Sequence, residues 1–469
     1  MKMTTICQSF RNNRFKYGGY ATLMTAIVLG MLIIVNLIVG QLPVQWDLSD
    51  NQLFTLSPQT INVLKGLQTP VTIYGLYQPG KEDTLSTAVL KQYRDHSKMV
   101  TVKSLDPVKN PGFVKQFTTD NTELSEGSLI VTAGKRFKTV AAADLFNYDT
   151  QQQQVTSLAL EQRLTGALVY VASGKTPIVY TLQGHNEATL PDDVTKQLAT
   201  ENYTVKEISL FTNPVPGDAN ILMVVAPKSD LTADETNKIR TYLAQGGRGI
   251  FLMDLARADF PNFQSLFKSY GFTLQRLVVV DNDNTANAGN PILLLPKFSD
   301  HAVVNSIKND KLQILFPGSQ AIQPIELKKR TTTIEPLLRS SDKSWGEVDL
   351  AATSFEKNAK DPDGPFTLAA AITDNVEGKE TKLIVTGTAA FLSSQVTSQV
   401  PGNTTLLTNS LSWLSDQKAG QSIPAKSLLS MRLNINGLQG LLCAALVVLI
   451  IPLTVLGIGT TVWLRRRHQ

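Results

Sequence analysis

Cysteine is nearly missing. The 469 residues hold two, Cys7 and Cys443, so the chain between them can form no disulfide and supplies no cysteine nucleophile. Histidine is scarce too: His96, His185, His301 and His468, no two of them at metal-ligand spacing. No G-x-S-x-G turn exists to present a serine nucleophile. Gly174-Lys175-Thr176 looks like the end of a phosphate loop, but Val169 stands where the first glycine belongs and Pro177 where a helix would begin. It reads as a plain turn. Asp281-Asn-Asp-Asn suggests calcium ligands, yet Ala286 occupies the place of the required glycine, and a polar turn is the better reading. No cofactor and no metal are expected.

Charge is missing from two long runs. None appears between Lys16 and Asp47, or between Arg432 and Arg465. Tyr20–Val39 and Leu438–Leu464 are each long enough to cross a hydrocarbon core, which needs about 20 residues. A cleaved signal peptide is the rival for the first run, but its apolar core would be only about 7–15 residues. Gln41-Leu-Pro-Val-Gln is no cleavage site either, so an uncleaved anchor is favoured. Lys2, Arg11, Arg14 and Lys16 precede the first run, and Arg465, Arg466 and Arg467 follow the second. Basic flanks stay inside. Both termini are therefore expected in the cytoplasm of a bacterial cell, and residues 42–436 outside its inner membrane. Setting aside those seven of the 44 basic residues leaves 37 against 39 acidic. The middle is not a nucleic-acid binder. Asn36 in the first span, and Pro452, Gly457 and Gly459 in the second, suit helix packing within a membrane.

What is present is α/β. Ile221–Ala226 is an apolar run of strand length. Thr232 and Glu235 have capping-box spacing at the start of a helix. Ile239, Tyr242 and Leu243 give that helix one apolar face. Gly246-Gly247 ends it, and Gly247–Asp254 is a second apolar strand. Strand, capped helix and strand make a βαβ unit of a parallel sheet covered on both faces. The expected organisation is a basic tail (1–17), a span (18–40), a first α/β domain (42–149), a connector helix (150–175) and a second, doubly wound and mostly parallel α/β domain (176–415). A linker (416–436), a second span (437–464) and a basic tail (465–469) complete it.

Chemistry concentrates at one place. His185, Asn186 and Glu187 lie in the loop after the strand Pro177–Leu182, and Asp254 ends its own strand. In α/β proteins ligands sit outside the carboxyl ends of the strands. His185 with Glu187 could be an acid–base pair. The plainer alternative is a loop whose polar groups satisfy backbone amides at the next helix start, and it is favoured because no nucleophile or metal motif accompanies the pair.

The order of motifs resembles a family. Trp46-Asp-Leu-Ser, Phe54-Thr-Leu-Ser-Pro, Thr69-Pro-Val-Thr-Ile-Tyr and Leu105-Asp-Pro with Asn110-Pro come first. Gln183-Gly-His-Asn-Glu, Ala226-Pro-Lys-Ser-Asp-Leu-Thr, Gly402-Asn403, Asn409-Ser-Leu-Ser-Trp-Leu and Trp463-Leu-Arg-Arg-Arg follow. Together they resemble the auxiliary component of ABC transporters named after bacterial gliding motility, the GldG type. An aspartate-rich stretch usual in that family is here Thr404-Thr-Leu-Leu-Thr, without acids. The resemblance implies a glutamine-amidotransferase-like middle domain without cysteine chemistry. It implies a membrane-anchored, non-enzymatic subunit beside an ABC-2-type permease and a cytosolic ATPase, in contact with membrane lipid. Two other classes stay open: a binding protein for an envelope carbohydrate or other ligand at His185, Glu187 and Asp254, and an extracytoplasmic hydrolase.

Overall fold

The strand Ile221–Val225 shows why this chain needs apolar runs. Ile221, Met223 and Val225 enter one buried core and Leu222 and Val224 another. All five residues are buried because the sheet is covered on both faces. The computed structural model describes residues 22–34, 37, 52–118, 124–149, 154–174, 176–256, 258–350, 355–416, 423, 425–428 and 451–467. The chain divides into two units, Met1–Phe54 and Thr55–Gln469. In the first, residues 22–34 are helical. Leu37 is described as helical too, and the rest of that apolar stretch, Asn36 included, lies outside the described residues. Pro452, Gly457 and Gly459 fall in the helix Ile451–Arg467. No helix among the described residues is long and apolar enough to cross a membrane.

The first α/β domain is built on a four-stranded sheet in the order Val100–Leu105, Val71–Leu76, Leu129–Ala133, Arg136–Val140. The first pair is parallel, and the other strands add antiparallel, the last as the expected hairpin. Helices Pro58–Gly66, Thr84–His96 and Leu160–Ser173 cover one face. The helix read as a connector differs from the expectation. It begins at Leu160, and Leu160, Leu164, Leu168 and Val171 join the first domain's core. Part of the stretch read as a linker differs too. Lys426–Ser427 pairs antiparallel with Gln154–Leu158, which pairs with Phe146–Asp149.

Glu161 ties these pieces together, with its side chain only 3% exposed. Oε1 accepts from the Ser57 amide (2.6 Å) and the Thr60 hydroxyl (2.6 Å). Oε2 meets Lys426 Nζ at 2.8 Å, and that ammonium also donates to the Thr55 carbonyl. Thr165 and the buried Tyr93 complete the cluster at 2.6 Å from each other.

The second domain carries a ten-stranded sheet. Thr204–Ile208, Ile178–Leu182, Ile221–Val225, Arg248–Leu252 and Lys379–Thr386 run parallel, in that spatial order. The sheet is not parallel throughout. Thr367–Val376 turns back from Lys379–Thr386 as a hairpin and is joined by Thr332–Arg339 and Ala321–Pro324, all antiparallel. Helices Asp192–Thr200, Ala302–Asn309 and Pro401–Leu414 pack on one face, Ala233–Ala244 and Pro261–Ser269 on the other. The expected capping box is present, and Gly246 closes its helix at φ +88°. Gly402 lies against the Gln313 carbonyl, so closely that a Cβ could not fit. Beside it Asn403, fully buried, accepts from the Leu315 amide (2.9 Å) and donates to the Leu315 and Phe391 carbonyls.

Candidate functional site

The first four parallel strands stand in the chain order second, first, third, fourth. The direction of winding therefore reverses between Ile178–Leu182 and Ile221–Val225. At such a switch point the loops leaving the carboxyl ends diverge and open a crevice. The loop carrying His185, Asn186 and Glu187 leaves one of these strands, and Ala226–Leu231 leaves the other. Two residues beside the crevice hold left-handed conformations that side chains disfavour, Asn186 (φ +53°) and Ala226 (φ +43°).

His185 fills this crevice and is 5% exposed. Its Nδ1 lies 3.0 Å from Glu187 Oε1, and its Nε2 lies 3.2 Å from Glu235 Oε2. Both carboxylates are buried, their side chains 1% and 3% exposed. A ring flanked by two acceptors satisfies both only as the imidazolium, which donates from each nitrogen. The hydrogen bond to Glu187 raises the His185 pKa, the nearby Glu235 charge adds to this, and burial opposes it. For Glu187 burial pushes up, but bonds from the His185 ring and backbone amide win and its pKa falls. Glu235 behaves likewise: burial raises its pKa, and bonds from Thr232 and His185 lower it further.

The backbone completes the bracket. Glu187 Oε2 accepts from the His185 amide at 2.7 Å. The His185 carbonyl accepts from the amides of Lys228 (2.8 Å) and Ser229 (3.2 Å). Glu235 Oε2 also accepts from the Thr232 amide (2.9 Å) and hydroxyl (2.7 Å). One carboxylate thus serves as helix cap and as histidine partner. Glu235 was legible in the sequence only as the cap. The switch-point topology, which puts its helix start beside His185, is the signal that finds the second role.

Asp254 sits apart from this bracket. Its Oδ1 accepts from the Ala389 amide (2.7 Å) and the Thr388 hydroxyl (3.4 Å), and Lys228 Nζ lies 3.6 Å from Oδ2. The structure therefore brings His185, Asn186 and Glu187 together with Glu235, and leaves Asp254 with Lys228 and Thr388. A cavity of about 170 Å³ opens beside Asp254, lined by Met253, Phe260, Phe263, Arg276 and Gln320. Another of about 680 Å³ lies at the amino edge of the sheet. Arg248 on its wall is occupied by the Leu414, Gly246 and Glu380 carbonyls and by Asp416. The Asp281 carboxylate is used internally, accepting from the Asp283 amide and the Ser341 amide and hydroxyl. Asp283 accepts from Thr285, with Lys343 at 3.2 Å, and its pKa falls to about 2. Among the described residues no group of three His, Cys, Asp or Glu is placed to hold a metal.

The fold and site define an α/β protein whose switch-point crevice is occupied by its own loop. Residues 169–413 match the family described as an ABC-type uncharacterized transport system, and residues 50–155 match a domain of unknown function. The first match covers more than half of the chain, and the chain belongs to that family of auxiliary transport components. No curated protein matches it. Solved structures similar to parts of it include the mmIFT52 N-terminal domain, at 13% identity, 51% of this chain, 98% of that one and a TM-score of 0.39. A cytoplasmic protein from Salmonella typhimurium matches at 10%, 50%, 98% and 0.31. PurLQS from Thermotoga maritima matches at 10%, 51%, 100% and 0.26. Scores of this size carry no inference about this chain.

Proposed function

We propose that this auxiliary transport component is a non-catalytic, membrane-anchored subunit that holds residues 42–436 outside the bacterial inner membrane beside an ABC-2-type permease. A separate cytosolic ATPase supplies the energy, both termini are cytoplasmic, and the kinship is with the gliding-motility type. The second domain keeps an amidotransferase-like layout without a cysteine. The observation that carries the reading is the bracket around His185. Both ring nitrogens face buried carboxylates, and those carboxylates are themselves committed to backbone and capping bonds. A general base must reach the proton it removes, and this histidine is turned inward. The charge-free runs around Tyr20–Val39 and Leu438–Leu464 support the anchoring.

Co-purification in mild detergent tests the partnership. The chain should be recovered with a permease and an ATPase. Asn36→Lys should weaken that recovery, since a central intramembrane charge costs roughly 2.5–3.5 kcal/mol and less near the interface. Recovery of the chain alone, with both partners present in the cell, overturns the reading. Hydrolysis of an envelope glycan or amide by the purified protein, abolished by His185→Ala without unfolding, would replace it with a hydrolase.

A further inference from the structure

The amino edge of the large sheet carries a projection that the transport reading does not use. The hairpin Thr367–Val376/Lys379–Thr386 outruns its neighbour. Arg248, where the adjacent parallel strand begins, pairs with Lys382, but the hairpin continues to the pair Val376 and Lys379. Three further residues carry it about 10 Å past the start of that strand, at about 3.3 Å per residue, with Gly246 of the preceding turn packed beside Glu380 and Lys379. The loop 325–331 stands at the same end, because Thr332 pairs with Asp374 and the Asn375 amide donates to the Thr331 carbonyl.

This tip is mounted firmly and dressed for a surface. Lys329 is tied to Asp374 at 3.1 Å and lies over the Tyr270 ring at 5.4 Å. Leu327 is 92% exposed and Val376 42%. Among the described residues Lys328, Arg330 and Lys379 are exposed and carry no ion pair. They stand against Glu326 and Glu377, while the third exposed acid of the tip, Glu380, is paired with Lys382 at 3.4 Å and with Arg248 at 3.9 Å. The same edge is where the chain passes to and from the first domain. Helix Leu160–Ser173 leads into the amino end of Ile178–Leu182. Asp416, two residues past helix Pro401–Leu414, is bound to Lys382 and Arg248.

We infer that this tip rests on the membrane, with Leu327 inserted among the lipids and Lys328, Arg330 and Lys379 on anionic headgroups. The inference rests on the anchored reading above. A single leucine and a small excess of positive charge would bind a membrane poorly from solution. A tethered chain needs no more, because the tether turns the second contact into an intramolecular one.

The test uses the full chain with Cys7 and Cys443 replaced by serine, so that one introduced cysteine carries the probe. Leu327→Cys bears an environment-sensitive fluorophore in vesicles of phosphatidylcholine alone or with phosphatidylglycerol, containing lipid-borne quenchers. Phe211→Cys is the control. It is 75% exposed and follows the carboxyl end of Thr204–Ile208, on the opposite edge. Position 327 should shift to the blue and be quenched in anionic vesicles, several-fold more than position 211. Lys328→Glu with Arg330→Glu should weaken this contact by on the order of fivefold or more per charge. A water-exposed probe at 327 in every vesicle overturns the inference. So does protection that appears only with permease and ATPase present and without lipid quenching, which assigns the tip to a protein. Carbonate extraction separates the two readings. A chain that resists extraction but shows no quenching keeps the anchor and loses the tip. One that floats with anionic vesicles only at low salt loses the anchor and keeps the tip.

Discussion

Two buried carboxylate centres organise the two α/β domains, and they are built for different purposes. In the first domain Glu161 joins segments far apart in the chain: Ser57 and Thr60 on one side, Lys426 on the other. In the second domain Glu187 and Glu235 hold His185 at one crevice, closing a loop on the helix that follows the neighbouring strand Ile221–Val225. The first centre fixes topology and the second fixes a local shape. Removing the first should release a whole segment. Removing the second should loosen a loop while the sheet beneath it stays folded, since Ile221–Val225 and Arg248–Leu252 are anchored in two cores.

The largest effect is expected at Glu161. Removing one member of a buried ion pair typically costs about 3–5 kcal/mol. Glu161→Ala should therefore expose the amides of helix Pro58–Gly66 to hydrogen exchange and make the segment around Lys426 sensitive to protease. Protection equal to that of the unaltered chain at both places would erase the distinction between the centres.

His185→Ala comes next, at about 2–3 kcal/mol, because it removes two charge-assisted hydrogen bonds and leaves two buried carboxylates with only their backbone and capping bonds. Faster exchange should be confined to residues 183–191 and the first turn of helix Ala233–Ala244. If the whole sheet opened with the loop, the bracket would be global rather than local.

The bracket should also have a pH window. The His185 pKa is raised from 6.5, so its contribution is complete below about 6.5 and is lost as pH rises through the higher folded value. Glu187 and Glu235 are lowered from 4.5, so theirs is complete above about 4.5 and is lost as pH falls through the lower folded values. The loop should be best protected from exchange between those limits, and His185→Ala should abolish the loss on the alkaline side. A variant with the same alkaline profile as the parent would remove the imidazolium from the account.

The smallest effect belongs to the cap. Thr232→Ala should cost about 1 kcal/mol, visible as a small fall in the melting temperature. Glu235 retains its bond to His185 in that variant. A larger loss than that of His185→Ala would mean that the cap, and not the histidine, holds the loop.

Local sequence carried the capping box, because Thr232 and Glu235 are three residues apart and their partners are each other's backbone. It carried the apolar strands, whose residues enter cores on both faces. It placed His185 and Glu187 in one loop after one strand. It did not carry Glu235 as their partner, 50 residues away, since only the strand order brings that helix start to the crevice. Lys426 was hidden for a related reason. A two-residue strand has no periodicity, and its pairing with Leu158 and Ser157 depends on where the second domain returns the chain. The motif Gly402-Asn403 was legible as a resemblance, and the structure supplies its cause in a close approach to Gln313 and three bonds to Leu315 and Phe391.

Because Lys426–Ser427 comes back to pair with Gln154–Leu158, the second domain is spliced into the first between Ser173 and that short strand. A pull applied between Thr55 and Ser427 would run through the Glu161 ion pair, the Thr55 carbonyl and the three-stranded sheet, and would bypass the ten-stranded sheet altogether. Mechanical load on the two ends of this region would fall on one small domain, while the larger one hung outside the line of force.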